Sequence, residues 1–156
     1  MYNKNNKDRL YDLMGKINNI NFPKKQMLIQ ETFLPADEKR LVVNDFLSYV
    51  SEELGLLENQ QPKVDVDFDD NSMTQEHKSF GSYNPGTFEI KIVGCNRNLA
   101  DVLRTLAHEM IHHKQNLNNE LHEKSGETGS DHENTANAYA GILMREYGKK
   151  NPKIFE

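Results

Sequence analysis

Apolar residues follow two periods along this chain, and the switches between them mark out its organisation. Leu10, Leu13, Met14 and Ile17 recur at three and four residues, which predicts a weak helix over residues 4–20. Pro23 and Pro35 punctuate the segment that follows. From Ala36 the helical period strengthens. Leu41, Val42, Phe46, Val50 and Leu54 share one face, and Gly55 offers the stop. After Gln60-Gln61-Pro62 the period drops to two. Val64, Val66 and Phe68 alternate with Lys63, Asp65 and Asp67, the pattern of a strand with one buried face. Phe88, Ile90 and Ile92 alternate in the same way over Thr87 to Val93, behind a turn-rich lead-in from Gly81 to Gly86. The helical period then returns. Asn96 to Asn98 can cap a helix from about Leu99 to Leu117, and a polar loop leads to a last helix from about Asp131 to Tyr147. Helices, then strands, then helices predict an α+β fold rather than a βαβ repeat. A single domain over residues 1–156 is expected, with a helical N-terminal part over 1–60 and a core over 61–156.

Composition narrows the partners more than it changes the fold. Charged residues make up 28% and hydrophobic residues 36%, which suits a folded, water-exposed domain. The net charge of −5 gives no reason to expect nucleic acid or an anionic membrane surface. Cys95 is the one cysteine, so no intramolecular disulfide can form, and nothing indicates an oxidising compartment. The basic opening, Met1 to Lys7, is not followed by the apolar run of a signal peptide, and no stretch reaches membrane-span length. A cytoplasmic protein is expected. The Asn- and Lys-rich opening fits the coding bias of an AT-rich genome, such as that of a phage or its host.

The chemistry concentrates at His108-Glu109-Met110-Ile111-His112. Two histidines four apart stand one turn above each other on a helix, so both imidazoles can reach one Zn2+. Glu109 beside them can take a proton from water whose pKa the metal lowers from about 16 toward 7. The rival reading is a polar helix face opposite the stripe Leu99, Leu103, Leu106 and Met110. A catalytic zinc wants a third protein ligand and an open position. His113, His122, Asp131, His132 and Glu133 follow in the chain. His113 projects about 100° round the helix from His112, and His122 lies in the polar loop. Glu133 is favoured because it shares a helix face with Ala136, Asn137 and Ala140, where a lone carboxylate is costly without a cation. His132 remains the reserve. Ser130-Asp131-His132-Glu133 also fits a capping box, in which Glu133 merely reaches back to the Ser130 amide.

The pairing of that histidine helix with Glu133-Asn134-Thr135-Ala136-Asn137-Ala138-Tyr139-Ala140-Gly141-Ile142-Leu143-Met144 resembles the ImmA/IrrE-type metallopeptidases. That family joins an HExxH helix to a later helix reading E-x-x-A-N-x-F-A-x-x-L-M. The resemblance covers roughly residues 80–145 and implies a zincin-like fold, a short sheet packed on the HExxH-bearing helix. It implies His108, His112 and Glu133 as ligands, Glu109 as general base and Asn137 as a structural partner. The stretch from the Gly81-Ser82-Tyr83 lead-in through Ile90-Lys91-Ile92 is similar to the edge strand before the catalytic helix in such folds. Tyr139 stands where the family has Phe, and Arg145 where a proline is often found. SprT-like and other minimal zincins share the first motif with a histidine as third ligand.

A zinc-dependent peptidase acting on peptide or protein substrates is the expected function. The alternative is a non-catalytic zinc-bearing interaction module, such as a phage structural or regulatory protein. Tyr83, His113, His132 and Tyr139 could each steady the oxyanion that peptide hydrolysis develops. Asp65, Asp67, Asp69, Asp70 and Glu76 imitate a calcium loop, but Asp70 stands where the sharp turn wants Gly and Ser72 where an apolar residue packs.

Overall fold

The computed structural model describes residues 35–69, 80–122, 127 and 129–155. Helix α1 spans Ala36–Glu53, strand β1 Lys63–Asp67, β2 Gly81–Asn84 and β3 Glu89–Val93. Helix α2 spans Leu99–Leu117 and α3 Asp131–Lys150, with 3-10 turns at Glu58–Gln60 and Pro152–Phe155. Among the described residues the expected α+β arrangement is present: three helices and a three-stranded mixed sheet packed against α2. The helix expected over residues 4–20 lies outside the described residues, as do Asp70, Ser72 and Glu76 of the calcium-like stretch. Among the described residues no helix is long and apolar enough to cross a membrane.

The sheet has the order β1-β3-β2, with β1 parallel and β2 antiparallel to β3. Val64 pairs with Ile90 and Val66 with Ile92, so the alternating positions of both strands fall on one face. Ile90 and Ile92 in the middle strand are fully buried, whereas Val64 and Val66 on the flanking strand are half-buried. Phe88 departs from the expected alternation. It sits in the turn before β3 with φ 58°, and 44% of it is exposed. The Asn84 side chain organises that turn by accepting from the amides of Gly86 and Thr87, and Phe88 N closes it on the Asn84 carbonyl at 2.8 Å. The turn takes Phe88 out of the strand, and the inward face begins at Ile90.

Helix α2 begins where its cap predicts, with Asn98 Oδ1 accepting from Ala100 N at 2.8 Å. Its stripe Leu103, Leu106 and Met110 enters the core completely, joined by Val42, Phe46 and Val50 of α1. Helix α3 runs on to Lys150, past the expected end at Tyr147. Gly148 in its last turn lets the Phe155 ring fold back on the helix, because a Cβ there would overlap that ring. Tyr147 fastens α3 to α1: it donates to Asp45 Oδ2 at 2.7 Å, and its ring stacks edgewise on Phe46 with centroids 4.9 Å apart.

Candidate metal centre

Helices α2 and α3 pack side by side, and their polar residues meet at one point. His108 and His112 stand one turn apart on α2, with their Nε2 atoms 3.0 Å from each other. Glu133, in the first turn of α3, brings Oε2 to 2.9 Å from His108 Nε2 and 3.3 Å from His112 Nε2. These three side chains form the group that could hold a metal ion. Ligand atoms at 2.0–2.2 Å from a tetrahedral ion lie about 3.3 Å from one another, so the triangle is close to the size zinc requires.

The donor atoms are also short of other partners. Glu133 Oε2 is shut off from solvent and has no hydrogen bond of proper geometry, although both imidazoles lie beside it. A buried carboxylate oxygen in that state is costly unless a cation faces it. His112 is prepared for a metal by Gln115, whose Oε1 accepts from Nδ1 at 2.8 Å and leaves the lone pair on Nε2. Gln115 is held in turn, donating from Nε2 to the His132 carbonyl at 3.2 Å. Asn137, one turn along α3 from Glu133, pulls the His108 pKa up. Burial, followed by the neighbouring His112, pushes the His108 pKa down against the pull of Glu133, which favours the neutral imidazole a metal needs. The residues present therefore fit a zinc ion, bound by two histidines and a carboxylate.

Glu109 lies in the same region without joining the triangle. It is buried, and burial followed by the Glu133 charge pushes its pKa up to about 7. Gly81 of β2 backs directly onto it: a Cβ at Gly81 would stand 3.1 Å from Glu109 Oε1 and 2.5 Å from Thr105 Cγ2. The side chains of the three ligand residues keep between 10% and 20% of their surface exposed, so solvent reaches one side of the cluster.

The other residues singled out from the sequence are drawn elsewhere. The His132 ring packs edgewise on His122 with centroids 5.3 Å apart, and neither joins the ligand triangle. Asp131 is exposed at the start of α3. Only half of the expected capping box forms. Ser130 Oγ accepts from Glu133 N at 3.1 Å, while the Glu133 carboxylate turns to the histidines. His113 is fully buried with both ring nitrogens engaged, Nδ1 accepting from Tyr83 OH at 2.8 Å and Nε2 donating to the Gln60 carbonyl. Asn116 Nδ2 donates to the same Tyr83 oxygen at 2.9 Å. Tyr83 and His113 thus join α2 to β2 and to the 58–60 turn. Tyr139 packs, partly buried, against the hydrophobic core.

Gln115, and the close packing of Gly81 against α2, went unnoticed in the sequence. Gln115 had a signal, since it follows His112 by three residues on one helix face. Gly81 had none, because its role arises from the approach of strand to helix. Comparison of the chain with protein-family models, with curated proteins and with solved structures finds no match.

Proposed function

We propose that this chain is a zincin-like zinc peptidase, hydrolysing peptide bonds with metal-activated water and Glu109 as general base. One observation carries the reading: Glu133 Oε2 on α3, screened from solvent, converges with the Nε2 atoms of His108 and His112 on α2. Two histidines from an HExxH helix and a later glutamate form a ligand set typical of hydrolytic zinc. Zinc bound there would supply an acidified water and a Lewis acid for the peptide carbonyl. Glu109 does the proton work: its carboxylate takes a proton from the attacking water and passes it to the departing amine nitrogen. A base with its pKa near neutrality suits both transfers, and burial among Gly81, Thr105 and Glu133 restrains the carboxylate.

Metal analysis and the variant Glu109→Gln test this reading together. The purified chain is expected to take up one zinc per molecule, and Glu109→Gln to retain it while cleavage of a denatured protein substrate falls by at least a hundredfold. Failure to load zinc after reconstitution would sink the metal centre. Full zinc with equal cleavage by variant and wild type would remove Glu109 as base. Zinc without cleavage in either would favour the non-catalytic module.

A further inference from the structure

An aromatic ring at the end of the sheet, one residue before the Gly81 that closes on Glu109, is left out of the core. Phe80 immediately precedes β2, and 52% of it is exposed. Exposure of so large an apolar surface forgoes the stabilisation that burial gives, yet this ring is braced rather than left loose. The Arg97 guanidinium lies 4.2 Å from the ring centroid. Arg97 is itself fixed, donating to the Val93 carbonyl at 2.8 Å, to Thr105 Oγ1 at 2.9 Å and to the Asp101 carbonyl at 3.3 Å. The Phe80 carbonyl accepts from Val93 N at 2.8 Å, which anchors the backbone as well.

The same contacts link the ring to the candidate site through Arg97 and Thr105. Thr105, which Arg97 grips, lies one turn before Glu109 on α2. Gly81, the neighbour of Phe80, closes on both Thr105 and Glu109 so tightly that no Cβ fits between them. A residue of substrate bound beside Glu109 therefore has Phe80 within reach of its side chain.

We propose that Phe80, braced by Arg97, is a specificity platform that receives an apolar side chain of the peptide next to the bond being cut. Charge selects the apolar class. The ring already faces one guanidinium, which disfavours a second cation. The same guanidinium directs three of its five N–H groups at two carbonyls and a hydroxyl, which holds it in place against the ring. A pre-ordered aromatic surface gains from apolar contact at small entropic cost.

The inference rests on the proposed zinc peptidase, and one binding experiment separates the two. Acetyl-phenylalanine hydroxamate and acetyl-alanine hydroxamate are titrated into the zinc-loaded full chain by calorimetry. Both are expected to bind through the hydroxamate, the phenylalanine probe roughly tenfold more tightly. Phe80→Ala is expected to abolish that preference while leaving the affinity for the alanine probe unchanged, and Phe80→Tyr to keep it. Phe80→Gln, which keeps side-chain length at the strand end but presents a polar amide, is expected to lose most of it should Phe80→Ala fail to fold. A preference that survives in the alanine or glutamine variant overturns the platform alone. Binding of neither probe to zinc-loaded wild type overturns the open zinc site and the platform with it.

Discussion

At the scale of single residues, the candidate site depends on which atom of each side chain is left bare. His112 can offer Nε2 because Gln115 Oε1 occupies Nδ1, and Gln115 is itself fixed on the His132 carbonyl. Removing the amide frees the imidazole to rotate and to exchange tautomers, without touching a ligand atom. Gln115→Ala is therefore expected to weaken zinc binding by roughly 10- to 100-fold, the usual effect of losing an orienting partner. Competition with a chromogenic chelator measures it, and an unchanged affinity would show that packing alone holds the ring. His132 was a reasonable reserve ligand from its place in the sequence. Its ring turns to His122, while the adjacent Glu133 faces α2. A step of one residue on a helix rotates a side chain by about 100°, so neighbours rarely serve the same metal.

Between elements, β2 comes close to α2 at Gly81. A methyl group there would meet Thr105 Cγ2 at 2.5 Å, with Ile92 Cδ1 and Glu109 Oε1 both at 3.1 Å. Gly81→Ala is expected to cost about 1–3 kcal/mol in chemical denaturation, as overpacking does. Adding Thr105→Ser removes the worst contact yet keeps the hydroxyl that Arg97 uses, and should recover most of the loss. No recovery would place the strain elsewhere. The α1–α3 contact gives a second, pH-dependent prediction. Burial, then Glu53 and Glu146, push the Tyr49 pKa up to about 12 from 10. The folded state then keeps its phenol proton while the unfolded chain releases it, so stability falls as pH rises from 10 to 12. Melting temperatures of Tyr49→Phe should decline less steeply than wild type across that window, and parallel declines would refute the assignment. Elements defined by local pattern were legible in advance: the Asn98 cap, the stripe from Leu103 to Met110 and the alternation of Ile90 with Ile92. The turn that removes Phe88 from β3 was not, because it depends on the Asn84 side chain closing on Gly86 and Thr87. The stretch expected as a turn-rich lead-in forms a strand of its own, β2 at Gly81–Asn84, and Gly81, Ser82 and Tyr83 show no apolar alternation that would announce it.

Over the whole molecule, a metal at this position would do more than chemistry. His108 and His112 belong to α2 and Glu133 to α3, so an ion held by all three ties together helices separated in sequence by a polar loop. A ligand that binds only the folded state stabilises it by about 2.7 kcal/mol at a hundredfold excess over its Kd. For a chain of 156 residues that is a rise in Tm of roughly 5–10 °C. Two variants in the first turn of α3 separate this linkage from simple helix capping. Ser130→Ala removes the oxygen that accepts from Glu133 N, and is expected to cost about 1 kcal/mol with or without zinc. Glu133→Ala is expected to leave the metal-free Tm at or above that of wild type, because it deletes a screened carboxylate oxygen that lacks a hydrogen bond. It should also erase most of the increment that zinc adds. Calorimetric scans of the wild type and both variants, with and without zinc, give every term. A zinc increment that survives Glu133→Ala undiminished would take α3 out of the metal centre, and the two histidines of α2 would have to find their third ligand elsewhere.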